Sequence, residues 1–254
     1  AGSRMAVVGV DDSLSAAIAD RAERSGTTTL RISARQPVAD GIYAQGSSMW
    51  LAQAAAQTPF ADLAPITSLR GAHNAQNAAA AIAVCRALGL SDAEIRGGLE
   101  SFPGLEHRME VVARAGRVLF VNDSKATNAD AAERALASYE RIYWIAGGRA
   151  KAGGIDSLQP CFGRIAKAYL IGEATDAFAA TLAGQVSFET CDTLADATAA
   201  AARDAGSDAH AEPVVLLSPA CASFDQFPNF EARGRAFSEA ARTAAARHAG
   251  QEVA

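Results

Sequence analysis

Lysine is almost missing from this chain: of 23 basic residues in 254, only Lys125, Lys151 and Lys167 are lysines. Arginine serves wherever any surface cation will do, so a retained lysine marks a place for a compact point charge. Cysteine is scarce too. Cys85, Cys161, Cys191 and Cys221 stand alone, with no CxxC pair and no neighbouring histidine. That excludes a disulfide scaffold and a local zinc site, and it fits free thiols in a reducing cytoplasm. The longest wholly apolar run, Ala78 to Cys85, is far short of the roughly 20 residues of a membrane span. No block of Lys and Arg occurs and the net charge is −5, which argues against a nucleic-acid partner. The opening Ala-Gly-Ser-Arg-Met has no basic and then apolar signal pattern. It also has no Met at position 1, so the natural chain is expected to begin earlier.

What is present describes a folded protein: half of the residues are hydrophobic, 20% are charged, and about a quarter are alanine. Alanine favours helices and thin, closely packed interfaces. After residue 115, strand patterns at 117–122, 141–146, 168–171, 185–189 and 213–217 alternate with helical ones near 130–138, 157–165, 175–182 and 194–204. A long amphipathic helix follows from about Pro228. Alternation on this scale means βαβ units and a mainly parallel sheet, which binds ligands beyond the carboxyl ends of its strands. The first hundred residues predict one strand at 5–10, a helix to about Arg24, a small β region at 27–32 and 41–43, and helices at 71–88 and 91–101. Ser91 with Glu94 predicts a capping box. Phe102-Pro103-Gly104 is the expected linker, dividing a domain of residues 1–104 from one of 105–254.

Polar clusters gather at the starts of helices and the ends of strands. His73, Asn74 and Asn77 open the first long helix, where amides three residues apart share a face; by spacing alone they suit plain capping before a nucleotide contact. Leu105 to Glu110, with His107 and Arg108, is either a phosphate or base contact or a solvated turn. Asn122-Asp123-Ser124-Lys125-Ala126-Thr127-Asn128 is the densest polar string; Asn128 is a helix cap, but capping explains neither Asp123 nor a rare lysine. Gly147 to Gly154 surrounds the second rare lysine, Lys151, with four glycines, as a backbone approaching a ligand would need. Ser218 to Gly234 holds Ser223 and Phe230 and has no histidine suited to a Ser-His-Asp hydrolase.

In this order, Gly71-x-His73-Asn74-x-x-Asn77, His107-Arg108-Met109-Glu110, Asn122 to Asn128 and Ser218-Pro219-Ala220-x-Ala222-Ser223-Phe224-Asp225-Gln226-Phe227 resemble the Mur ligase family. The first two elements are common to the Mur ligase and folylpolyglutamate synthase superfamily, and the last two are particular to its D-glutamate-adding branch. The resemblance implies an α/β fold: part of the central ATPase domain, then a Rossmann-like C-terminal domain. It implies ATP and Mg2+ as cofactors, and UDP-N-acetylmuramoyl-L-alanine and D-glutamate as substrates, joined through an acyl phosphate in peptidoglycan synthesis. By the same resemblance Asn74 and Asn77 lie near adenine, and Arg108 and Asp123 near ribose and phosphate. Lys125, Thr127, Lys151, Ser223 and Phe230 line the D-glutamate pocket, and Lys125 and His107 count as catalytic; none of these residues is implied as a metal ligand. No phosphate loop of the form G-x-x-x-x-G-K-[ST] occurs, so this polypeptide alone is expected not to complete the reaction. An incomplete sheet is expected to leave residues 1–70 prone to association. The alternatives are another Mur or folylpolyglutamate synthase-like ligase, and a non-catalytic nucleotide- or amino-acid-binding module. A Rossmann dehydrogenase is excluded, since no G-x-G-x-x-G opens a strand-to-helix turn.

Overall fold

In the computed structural model, residues 5–54 and 56–251 are described, and the chain divides into two compact units between Pro103 and Gly104. The first unit is built on a five-stranded sheet in the order β1-β2-β3-β4-β5, with β1 (Met5–Gly9), β2 (Thr28–Ser33), β3 (Gly41–Gln45), β4 (Ser48–Gln53) and β5 (Ala56–Asp62). The first three strands are parallel and the last two antiparallel. Helix α1 (Ser13–Arg24) links β1 to β2 and is capped by Asp12, whose carboxylate accepts from Ser15 N at 2.9 Å. The β region thus holds two more strands than the sequence predicts. β5 hides because Pro59 and polar residues break its pattern, which an edge strand tolerates.

Helix α2 (Ala72–Ala87) lays Ala75, Ala78, Ala79, Ile82 and Ala83 among Ile32, Ile42, Met49 and Phe60 of the sheet. Small side chains on the helix let it approach closely, as the alanine content suggests. Helix α3 (Asp92–Glu100) follows, with the Ser91–Glu94 capping box formed in both directions.

The second unit is a six-stranded sheet in the order β10-β9-β8-β11-β7-β6. Its strands are β6 (Glu110–Ala115), β7 (Val118–Asn122), β8 (Ile142–Gly147), β9 (Ile165–Ile171), β10 (Phe188–Thr190) and β11 (Val214–Leu217). All pairs are parallel except β6 with β7. β7, β8 and β11 are buried along their whole length because both faces are covered. One face carries Leu119, Val121, Trp144 and Leu216 and packs on α4 (Ala129–Leu136) and α5 (Thr175–Leu182). The other carries Phe120, Ile145, Val215 and Leu217 and packs on α6 (Leu194–Gly206) and α7 (Phe230–Gln251).

Two expectations are corrected and one strand is added. The segment expected as a helix at 157–165 is 3-10 in type, Asp156–Arg164, with Pro160 inside it. The final helix begins at Phe230, not Pro228, and Asn229 accepts from Ala232 N at 2.7 Å as its cap. β6 was not expected as a strand at all.

Candidate active site

Because β8, β11 and β7 are neighbours, the segments leaving their carboxyl ends converge. These are the turn Asp123–Asn128, the glycine-rich loop 147–154 and the loop 218–229. Each is fixed by hydrogen bonds to the others. Asp123 N donates to Leu217 O at 2.8 Å, and Gly147 N donates to Pro219 O at 2.9 Å. Arg149 and Ala222 exchange two backbone bonds, of 2.9 and 3.0 Å, which close the glycine-rich loop onto the loop after β11. Gly148 has to be glycine here: its φ is 122°, and a Cβ would lie 2.4 Å from Ala222 O.

Asp123 is buried behind this rim. Its Oδ2 accepts from Ser218 Oγ at 2.8 Å and its Oδ1 from Met109 N at 3.3 Å. Burial pushes its pKa up to about 7, against the opposing effect of both hydrogen bonds and the Arg108 charge. Ser218 is held in turn by Trp144, whose Nε1 donates to its carbonyl at 2.8 Å. Arg108 is exposed.

Lys125 projects from the same turn. Its N–H donates to His107 O at 3.1 Å, and its ammonium stands 3.8 Å from the centre of the Phe230 ring. Phe230 O accepts from Ser124 Oγ at 2.8 Å, so the first residue of α7 is tied to the residue beside Lys125. Thr127 follows Lys125 in the turn, and Asn128 caps α4 through Ala131 N at 2.8 Å. Ser223 is buried at the loop after β11, while Lys151 is exposed in the glycine-rich loop. Lys167 is different. It pairs with Glu189 at 2.7 Å and Asp204 at 2.8 Å, in the half of β9 away from these loops.

His107 is not on a solvated turn. It is 3% exposed at φ 62°, and its Nδ1 meets Asn122 Nδ2 at 3.0 Å. Its ring stands edge-on to Phe230, and its Nε2 is buried without a hydrogen-bond partner. Asn122 Nδ2 also lies 3.0 Å from Gly234 O and from Ser238 Oγ, binding β7 to α7.

In the first unit, Asn74 does not cap its helix. The N-cap position is Gly71, and Asn74 Nδ2 donates back to Arg70 O at 3.0 Å, while Asn77 Nδ2 lies 3.4 Å from Asn74 Oδ1. The two amides therefore form a linked pair on one helix face. Asp11, at the end of β1, holds α2 in place by accepting from Gln76 Nε2 at 2.7 Å, Ser33 Oγ at 2.6 Å and Ala34 N at 2.9 Å.

Sequence reasoning quoted Asn122, Ser124, Ser218 and Arg233 only as members of longer strings and gave them no role, yet they hold the site together. The signal for Arg233 was its spacing: three residues after Phe230, it shares that residue's helix face. Among the described residues, no group of three or more His, Cys, Asp or Glu side chains is placed to hold a metal ion.

Residues 107–221, which contain most of these loops, match the family described as Mur ligase, glutamate ligase domain. Over that stretch the chain is similar to a Mur ligase glutamate ligase domain. A UDP-N-acetylmuramoylalanine–D-glutamate ligase of Rhizobium meliloti (strain 1021) is 63% identical over 237 residues, covering 93% of this chain and 51% of the relative. The corresponding ligase of Rhizobium johnstonii is 64% identical over the same length, covering 93% and 50%. The chain thus spans about half the length of the curated relatives it matches. Among solved structures, a folylpolyglutamate synthase of Mycobacterium tuberculosis complexed with ADP and AMPPCP aligns with TM-score 0.62 at 16% identity, over 92% of this chain and 55% of that one. At that identity the likeness shows a common fold. The fold and the Mur ligase resemblance read from the motifs are both borne out.

Proposed function

We propose that this chain is the part of an ATP-dependent Mur ligase that receives D-glutamate, in the joining of D-glutamate to UDP-N-acetylmuramoyl-L-alanine. The observation that carries the reading is the convergence of three strand-end loops bearing Lys125, Lys151 and Ser223, in a chain closely similar to D-glutamate ligases. A dicarboxylic amino acid needs cations, and two of the three lysines stand on these loops. Lys125, fixed over Phe230, and the exposed Lys151 hold its carboxylates, while Thr127 and Ser223 supply hydroxyls. His107, buried and hydrogen-bonded to Asn122, supports the Phe230 ring and with Lys125 makes up the proposed catalytic pair.

Asn74 and Asn77 face adenine, and Arg108 and Asp123 face the ribose and phosphate side. ATP, when bound, supplies the phosphoryl group that activates the acceptor carboxylate. This chain's own contribution is positioning and charge. Without a phosphate loop or a metal-ligating cluster among its described residues, it does not provide the full grip on Mg2+ and the triphosphate. No helix of the described residues is long and apolar enough to cross a membrane, and the cytoplasm is the proposed location.

Calorimetric titration with D-glutamate, L-glutamate and diaminopimelate tests the specificity: selective binding of D-glutamate is expected, and equal binding of the three points to another branch of the superfamily. With ATP, Mg2+ and the UDP-sugar added, the 254-residue chain is expected to form no ADP in response to D-glutamate. D-glutamate-dependent ADP release would overturn that assignment.

A further inference from the structure

Arg233 is among the largest fully buried side chains of the molecule, at 1% exposure. A guanidinium in that position is normally matched by a carboxylate, because a lone buried charge costs several kcal/mol. Here no carboxylate lies within ion-pair distance among the described residues, and only neutral oxygens receive it. Nε donates to Ser124 Oγ at 3.1 Å, Nη2 to Ser124 O at 2.9 Å, and Nη1 to Cys221 O at 3.1 Å. Nη1 also packs against Gly148, where even a methyl group would come within 3.3 Å of it. One side chain from the first turn of α7 therefore reaches all three strand-end segments.

We propose that Arg233 is the positioning residue of this site, a buried fork that locks the Lys125 turn to the Ser223 loop and sets a fixed positive charge behind them. Two features separate this from ordinary packing. The three bonds use the planar, multi-donor geometry that only arginine has. The charge also makes no ion pair: Asp225, the internal anion that acts on it, does so beyond contact and is held instead by Glu173 N at 3.1 Å, so a positive field remains for an anionic ligand in front of the loops. Burial draws the guanidinium down to about 10, which leaves it charged at neutral pH. The ligand half of the proposal rests on the D-glutamate reading above; the loop-locking half does not.

The test compares Arg233→Met, Arg233→Lys and the parent chain by amide hydrogen exchange and by D-glutamate titration. In Arg233→Met, exchange is expected to rise at least tenfold in 123–127, 147–150 and 218–224, while β8, β9 and α6 keep their protection. D-glutamate affinity falls at least tenfold. Arg233→Lys, which keeps the charge and loses the fork, recovers affinity to within a few-fold and leaves the loops loosened. Loop exchange unchanged in both variants, or rising equally throughout the unit, overturns the proposal. If Arg233→Met does not fold, Arg233→Lys decides by the same exchange criterion. If the parent chain does not bind D-glutamate, the functional reading fails, and the exchange result still decides the role of Arg233.

Discussion

Asp123 lies behind the loop rim with a carboxyl that burial keeps protonated up to about pH 7, while its ordinary value is 3.8. A carboxyl raised in the folded state binds more protons there than in the unfolded chain across that interval. Its contribution to stability is therefore full below about pH 4 and is lost as pH rises to 7. Asp123→Asn, which cannot ionise, is expected to gain on the parent by on the order of 4 kcal/mol across that window. Urea unfolding at a series of pH values checks it, and a constant difference would count against a raised carboxyl. Gly234 gives a second test. In an exposed helix, Gly→Ala gains about 1 kcal/mol. Here the new Cβ would lie 2.3 Å from His107 Nδ1, so Gly234→Ala is expected to lose roughly 1–3 kcal/mol in thermal unfolding. The motifs pointed to Asp123 and Lys125 by their rarity and position. They could not show that His107 is internal, because a histidine after a linker looks the same whether it faces water or a helix that arrives 120 residues later.

Elements owe their positions to a few polar ties as well as to apolar faces. Helix α2 presents alanines to its sheet, and alanine burial alone specifies little about rotation or translation. Asp11 supplies that information by joining the end of β1 to Gln76 on α2 and to Ser33 and Ala34 after β2. Asp11→Ala removes three acceptor bonds and is expected to cost about 2–3 kcal/mol. Hydrogen exchange is expected to speed up in α2 more than in α3; equal changes in the two helices would show that Asp11 does not place α2. Strands β7, β8 and β11 of the second unit were legible in sequence because wholly apolar runs such as Val214–Leu217 are required of strands covered on both faces. β5 was not, since an antiparallel edge tolerates polar residues and a proline, and neither was β4, the strand it pairs with. Nor was the 3-10 character of Asp156–Arg164, since its apolar spacing alone resembles an α-helix.

At the scale of the whole molecule, β1 lies at an edge of its sheet and is half-buried along its length, with Met5, Val7 and Val8 in it. An open edge of this kind offers unpaired backbone groups to another chain. The polypeptide is expected to associate, with a mass by light scattering that rises with concentration above its own 26.1 kDa. A monomer mass across the range, with even amide protection through β1 and β2, would overturn this.

The sequence by itself determined the class of fold, the break near Pro103, the order of the motifs and the scarcity of lysine that singled out Lys125 and Lys151. These are local matters: period, turn chemistry and residue choice are each read within a dozen positions. Only the tertiary structure decided which loops meet. It set β11 between β7 and β8, so that Ser218, Cys221 and Ala222 join residues 123–125 and 147–149. It also turned Arg233 from one arginine among many into the buried cation they hold in common. Sheet order is fixed by the packing of both faces at once, and no single stretch of chain contains that information.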